Sequence, residues 1–234
     1  MNTLDTQSVK IWDIAIRIWH WSLVLLLVFL WYSAEIADDL MEWHMRAGRL
    51  LLGLIVFRIA WGFIGSDTAK FTQFIRSPGE VMVYLKSMKS KQNTGSGSAP
   101  NKEWGHNPAG GLMVLLLIAG LLIQTVSGLF TSDGYFYEGP FARSLTNGQL
   151  AEMIIDIHHT GFNIILGLVI LHILAIALYL LKGENLVRPM ITGRKTLENN
   201  SMQAQSLETP AIKSPILAAI AAAIVIVATW FLTA

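Results

Sequence analysis

The sequence predicts an all-α integral membrane protein, and three observations predict it. First, 53% of the 234 residues are apolar, only 14% are charged, and the mean hydropathy is +0.50. A water-soluble domain carries about 25% charged residues, so a soluble enzyme of this composition is excluded. Second, the apolar residues are bunched into five runs, each near the ~20 residues a helix needs to cross a bilayer. Third, the basic residues gather on one side of those runs. Cysteine is absent, which removes disulfides, thiolate chemistry, zinc–sulfur and iron–sulfur sites, and covalent C-x-x-C-H attachment of a cofactor. A net charge of +1 without a basic face excludes nucleic acid as a partner.

The runs are taken in order. Ile14–Ala34 is a span that stays, because Asp5 and Asp13 spoil a basic leader and no small-residue cleavage site follows. The others are Ala47–Ile64, Gly110–Phe130, Gly161–Leu181 and Ile216–Thr233. Pro215 stands just before the fifth, where a helix start tolerates proline. Between the second and third spans, Lys86–Lys102 is Ser/Gly/Lys-rich and reads as a flexible linker; Asn199–Pro210 is a second polar stretch that can leave the fifth span loosely at the bundle's edge. The organisation expected is a core over residues 1–195, a polar linker over 196–213 and a C-terminal helix over 214–234.

Lys10, Arg17, Lys70, Arg76, Lys86, Lys89, Lys91, Lys102, Lys182, Arg188, Arg194, Lys195 and Lys213, 13 of the 17 basic residues, fall on one side. The other side has Arg46, Arg49 and Arg143 among seven acidic residues. The positive-inside rule therefore makes the amino terminus cytoplasmic and the carboxyl terminus external in a multi-pass membrane protein. Trp12, Trp19, Trp31, Trp43, Trp61, Trp104 and Trp230 fall near span ends and read as interfacial belts.

The histidines carry the chemistry. A lone histidine in a span often only glues helices together, but the positions here match in depth. His158 and His172 lie fourteen residues apart on the fourth span, on one face and ~21 Å apart along its axis. His20 on the first span lies as deep as His172; His44 and His158 both lie at external ends. Equal depth thus pairs His20 with His172 and His44 with His158. Zinc wants about four ligands and copper favours soft donors, neither of which two facing imidazoles supply. Iron in a porphyrin already has four nitrogens, so two imidazoles complete its coordination. Two haem b groups, each bis-His, are the economical reading, with packing as the bland alternative.

Neighbouring residues fit this reading. Arg58 follows His44 by fourteen residues, and a buried arginine needs an anion such as a haem propionate. Arg17 can face a propionate or a lipid phosphate, although the positive-inside bias already accounts for it. Gly48 and Gly62 leave room either for flat macrocycles or for close helix packing. In Gly105–Gly111, His106 and Asn107 can hydrogen-bond a quinone head group, against the plainer reading of a helix-start turn with Asn107 as cap and Pro108 first. His159, about 100° round the helix from His158, can reach a substrate or a propionate.

Arg17-Ile-Trp-His-Trp21, Glu42-Trp-His-Met-Arg-Ala-Gly48, Phe57-Arg-Ile-Ala-Trp-Gly62, the GHNPAGG stretch and Ile157-His-His-Thr-Gly-Phe-Asn163 through Leu171-His172 resemble the bacterial cytochrome b561 family, which includes the haem b subunits of nickel–iron hydrogenases. The resemblance covers about residues 8–195, and Glu184–Lys195 resembles the tail after the fourth span in one subgroup. It implies a four-helix transmembrane di-haem bundle plus a fifth C-terminal helix, with the fourth-span pair shared between the haems and His20 and His44 as the other ligands. It also implies electron transfer between quinone or quinol and a redox protein, such as a periplasmic cytochrome or a hydrogenase-like subunit, with a bound quinone as a further ligand. Two rivals remain: a stand-alone oxidoreductase acting on a small external substrate near His158, His159 and the Tyr135–Arg143 loop with quinone as co-substrate, and a haem-free scaffold or transporter using the histidines as a proton path.

Overall fold

The computed structural model describes residues 6–89, 105–198 and 209–233. The chain opens with strand β1 (Thr6–Lys10), then helices α1 (Ile14–Glu35), α2 (Met41–Ile64), α3 (Phe71–Phe74), α4 (Pro78–Lys89), α5 (Pro108–Gly128), α6 (Gly148–Leu181) and α7 (Val187–Thr192), strand β2 (Arg194–Glu198) and helix α8 (Pro215–Leu232). Five of these helices, α1, α2, α5, α6 and α8, are long and apolar enough to cross a membrane. The all-α membrane architecture is therefore what the chain forms, with one small sheet among the described residues.

Helix starts are set by side-chain caps that satisfy otherwise unpaired backbone N–H groups. The Asp13 carboxylate accepts the Ile16 N–H at 2.7 Å, and Asn107 accepts the Gly110 N–H at 2.7 Å ahead of Pro108. Asn147 and Ser214 do the same for α6 and α8 at 3.3 Å each. Two spans begin earlier than their apolar runs. α2 starts at Met41, and α6 starts at Gly148 and runs for 34 residues. At 1.5 Å per residue α6 is about 51 Å long, well beyond the ~30 Å hydrocarbon thickness. Its first turns carry Glu152, Asp156, His158 and His159, so hydropathy ends before the helix does.

α2 is the central helix and packs against α1, α5 and α8; α6 packs along α5. One apolar cluster joins Val9, Ile11, Trp12, Ile16, Phe57, Trp61 and Ala218, uniting β1, α1, α2 and α8. The other joins Leu51, Ile55, Ile118, Leu121 and Ile165 of α2, α5 and α6. Trp61 is 1% exposed and its indole N–H donates to the Asp13 carboxylate at 3.0 Å; the Trp19 indole donates to the Leu54 carbonyl at 2.8 Å. These two tryptophans are interior hydrogen-bond donors and not part of an interfacial belt. Trp31, Trp43 and Trp230 are exposed as a belt requires, whereas Trp104 lies outside the described residues.

The fifth span is not loose. α8 lies antiparallel on α2, where a Cβ added at Gly53 would stand 3.2 Å from the Ile226 Cα. Absence of that side chain is what lets the backbones approach. The Arg49 guanidinium sits 5.8 Å over the Trp230 ring. Before the helix, the Ala211 N–H donates to the Asp67 carboxylate at 2.9 Å and the Lys213 N–H to the Ser66 hydroxyl at 3.0 Å, pinning the end of the linker to the loop after α2. The other expected linker begins within α4, which runs to Lys89; residues 90–104 and 199–208 lie outside the described residues.

β1 and β2 pair antiparallel from Thr6↔Glu198 to Lys10↔Arg194, joining the start of the chain to the segment after α6. Gly193 turns the chain into this clasp at φ +79°, and its carbonyl accepts the Ile11 and Trp12 N–H groups at 2.9 and 3.2 Å. A Cβ there would meet Arg17 Nη1 at 2.7 Å and the Trp12 carbonyl at 2.9 Å. Only glycine fits both the dihedral and the space.

Candidate functional site

Four histidines stand in two tiers, each tier formed by one residue of α6 and one of the α1–α2 hairpin. Near the basic end, His20 of α1 is close enough to His172 of α6 for their charges to interact. Further along, His44 of α2 stands in the same relation to His158 of α6. The structure thus sets His20 near His172 and His44 near His158.

The far pair is tightly held. His44 Nδ1 lies 3.1 Å from the Leu30 carbonyl and 3.1 Å from the Ser33 hydroxyl. His158 Nδ1 lies 3.0 Å from the Gln124 carbonyl and 3.2 Å from the Ser127 hydroxyl. A carbonyl only accepts, so each Nδ1 carries the proton and donates, leaving the Nε2 lone pair for a ligand bond. The His158 ring also lies on Gly128, where an added Cβ would stand 2.9 Å from Cε1. The near pair is held differently. His20 Nδ1 is buried without a hydrogen-bond partner, and the Trp21 ring meets the imidazole edge-on at 5.1 Å.

Space accompanies the pairs. α6 is strongly apolar, yet Ile165 is its one fully buried residue, and it makes no extended contact with α1 or α2. A Cβ at Gly48, one turn beyond His44 on the same face of α2, would meet nothing within 4 Å. Among the described residues no three His, Asp or Glu side chains converge to hold a bare ion. The donor set is two imidazoles and open room between helices, which fits a metal that brings its own planar ring of nitrogens. Gly62 belongs to the other reading of small residues, since an added Cβ there would collide with the Phe71 ring.

Arg58 is 2% exposed and lies among the rings of Trp19, Phe71 and Phe74 at 5.7, 5.1 and 6.0 Å. Its Nη1 has no hydrogen-bond partner. Asp13 is near enough to feel its charge, but both Asp13 oxygens are taken by Ile16 and Trp61. A buried guanidinium with a free donor is suited to a carboxylate such as a propionate. Arg17 packs beside the Gly193 turn with its Nε buried and unpartnered.

His106 lies between Trp12 and Phe74, at 5.0 and 4.8 Å between ring centroids, with Nδ1 buried and unpartnered. Burial first, then the charges of Arg58, His172 and His20, pulls its pKa down to about 3, so the ring is neutral. Asn107 is the helix-start cap, and its Nδ2 donates to the Tyr179 hydroxyl at 2.8 Å, which in turn shares a 2.7 Å hydrogen bond with Tyr84. Its side chain is therefore committed on both ends. His159 is exposed, its ring 6.2 Å from that of His158. Ser33, Ser127, Gln124 and Gly128 were not singled out from sequence, because each matters only through a histidine on another helix.

A family model described as Prokaryotic cytochrome b561 matches residues 11–193. A relative from Rhizobium leguminosarum bv. viciae, named Probable Ni/Fe-hydrogenase B-type cytochrome subunit, is 25% identical over 223 residues, covering 84% of this chain and 92% of that one. No solved structure matches the chain. The family match contains both histidine tiers and ends where β2 begins, and the chain belongs to the prokaryotic cytochrome b561 family, a family of b-type cytochromes.

Proposed function

We propose that this chain carries electrons across the bacterial inner membrane between the quinone pool and a redox partner protein, through two bis-His haem b groups held by His20 with His172 and by His44 with His158. The observation that carries this reading is the nearness of His20 to His172 and of His44 to His158, repeated at two depths along α6. Bound haem b supplies a one-electron iron couple. His20, His172, His44 and His158 would hold the two groups, and α6 would keep the two sites ~21 Å apart along its axis within an apolar bundle. Arg58 and Arg17 neutralise propionates at the near pair. The basic end lies in the cytoplasm, as the positive-inside rule implies.

The name of the Rhizobium relative supports a hydrogenase as the partner; the quinone rests on the family resemblance. The test is transmembrane electron transfer in vesicles containing the purified, haem-loaded chain, with ferricyanide trapped inside and dithionite added outside. Ferricyanide bleaches in vesicles with the wild type. Bleaching no faster than in empty vesicles, with haem content intact, refutes the role.

A further inference from the structure

The two far-pair histidines share a local arrangement that the near pair lacks. Ser33 is completely buried, and its hydroxyl donates to the Leu30 carbonyl three residues back, at 3.2 Å. That same carbonyl accepts from His44 Nδ1, and the serine oxygen stands 3.1 Å from that nitrogen. Ser127, 7% exposed, repeats the pattern on another helix. Its hydroxyl donates to the Gln124 carbonyl, again three residues back, at 2.9 Å; that carbonyl accepts from His158 Nδ1, and the serine oxygen stands 3.2 Å away. In each case the serine lies on the helix preceding the one that bears the histidine: α1 serves α2, and α5 serves α6.

This triangle has a chemical consequence. A serine whose hydrogen is spent on the carbonyl presents only lone pairs to the neighbouring nitrogen. Nδ1 then faces two acceptors and no donor, so it must carry the proton. Nε2 is left unprotonated, with its lone pair free for a ligand bond. Two acceptors on one N–H also push electron density into the ring, which strengthens it as a ligand and favours the more oxidised metal. His20 Nδ1, buried without any acceptor, receives no such push.

We propose that Ser33 and Ser127 are a matched pair of positioning residues that lock His44 and His158 in the ligating tautomer and make the far site the lower-potential of the two. The proposal rests on the bis-His reading above. It requires no covalent step.

The experiment is a spectroscopic redox titration of the purified, haem-loaded chain, with haem content measured in parallel. Wild type, Ser33→Ala, Ser127→Ala and the double alanine variant are compared with Ser33→Thr and Ser127→Thr, which keep the hydroxyl. The expected result is an upward shift of the lower midpoint potential in each alanine variant, larger in the double variant, with the higher potential unmoved and the threonine variants near wild type. An alanine variant that sheds one haem, with threonine restoring both haem and potential, supports the same role. Unchanged potentials in haem-replete alanine variants overturn the proposal, as does a shift confined to the higher potential or a loss that threonine does not restore. Wild-type protein without haem is a different result, and it fails the bis-His reading itself.

Discussion

Arg58 carries a charge into the interior with no ion pair among the described residues, and that makes it a sharp probe of what the interior is built to hold. Replacing a buried charge by an apolar side chain of similar size is often neutral or stabilising, whereas leaving its partner unpaired costs about 3–5 kcal/mol. Arg58→Met is therefore expected to melt no lower than wild type when haem-free, yet to release the near-pair haem far more readily, as followed by transfer of haem to apomyoglobin. Gly128→Ala puts a methyl group 2.9 Å from the His158 ring; overpacking of this kind costs about 1–3 kcal/mol, and the variant should lose far-pair haem while keeping the near pair. His106 gives a pH signature. Its folded pKa of about 3 lies below the ordinary value of 6.5, so the unfolded chain takes up the proton first and stability falls as pH drops from about 6.5 toward 3. Melting temperatures across that window should flatten in His106→Phe. The four axial candidates were legible in the sequence because helical periodicity and equal depth need no knowledge of which helices touch. Ser33 and Ser127 were not, because a serine bonded three residues back along an apolar helix is ordinary until a histidine from elsewhere shares its carbonyl.

At the scale of elements, the five spans were readable as apolar runs, but two helix starts were not. α2 and α6 continue past their apolar runs into polar turns bearing His44 and His158, so hydropathy marks where lipid ends and not where the helix does. The β1–β2 clasp was unreadable for a related reason: five-residue strands with no apolar alternation are defined by the Gly193 turn that brings them together. The docking of α8 was hidden because Gly53 is an absence, and an absence does not name its neighbour. It is directly testable in a chain without cysteine. The Cβ position at Gly53 lies 3.6 Å from the Ile226 Cβ, within the ~3.5–4.5 Å a disulfide needs. Gly53→Cys with Ile226→Cys is expected to form an intramolecular disulfide in membranes on mild oxidation, read as protection from a thiol-reactive mass label. Full labelling of both cysteines after oxidation would mean that α8 does not rest on α2.

For the whole molecule, one design follows from α6 standing apart from α1 and α2. α2, wedged between α1, α5 and α8, forms the packed side of the bundle, and α6 reaches the other helices mainly through α5. In the proposed reading haem binds beside α6, where His158 and His172 lie, so cofactor binding and completion of the core would be the same event. Haem-loaded protein should accordingly resist unfolding in detergent more than protein made under haem limitation. The central claim is the pairing itself, and the most direct measurement is haem content per chain, with reduced-minus-oxidised spectra, for the wild type and for His20→Ala, His44→Ala, His158→Ala and His172→Ala. The account predicts two haems in the wild type, one spectral component lost in both His20 and His172 variants, and the other lost in both His44 and His158 variants. A single haem per chain, a different grouping of the four variants, or colourless wild-type protein from haem-replete cells would contradict it.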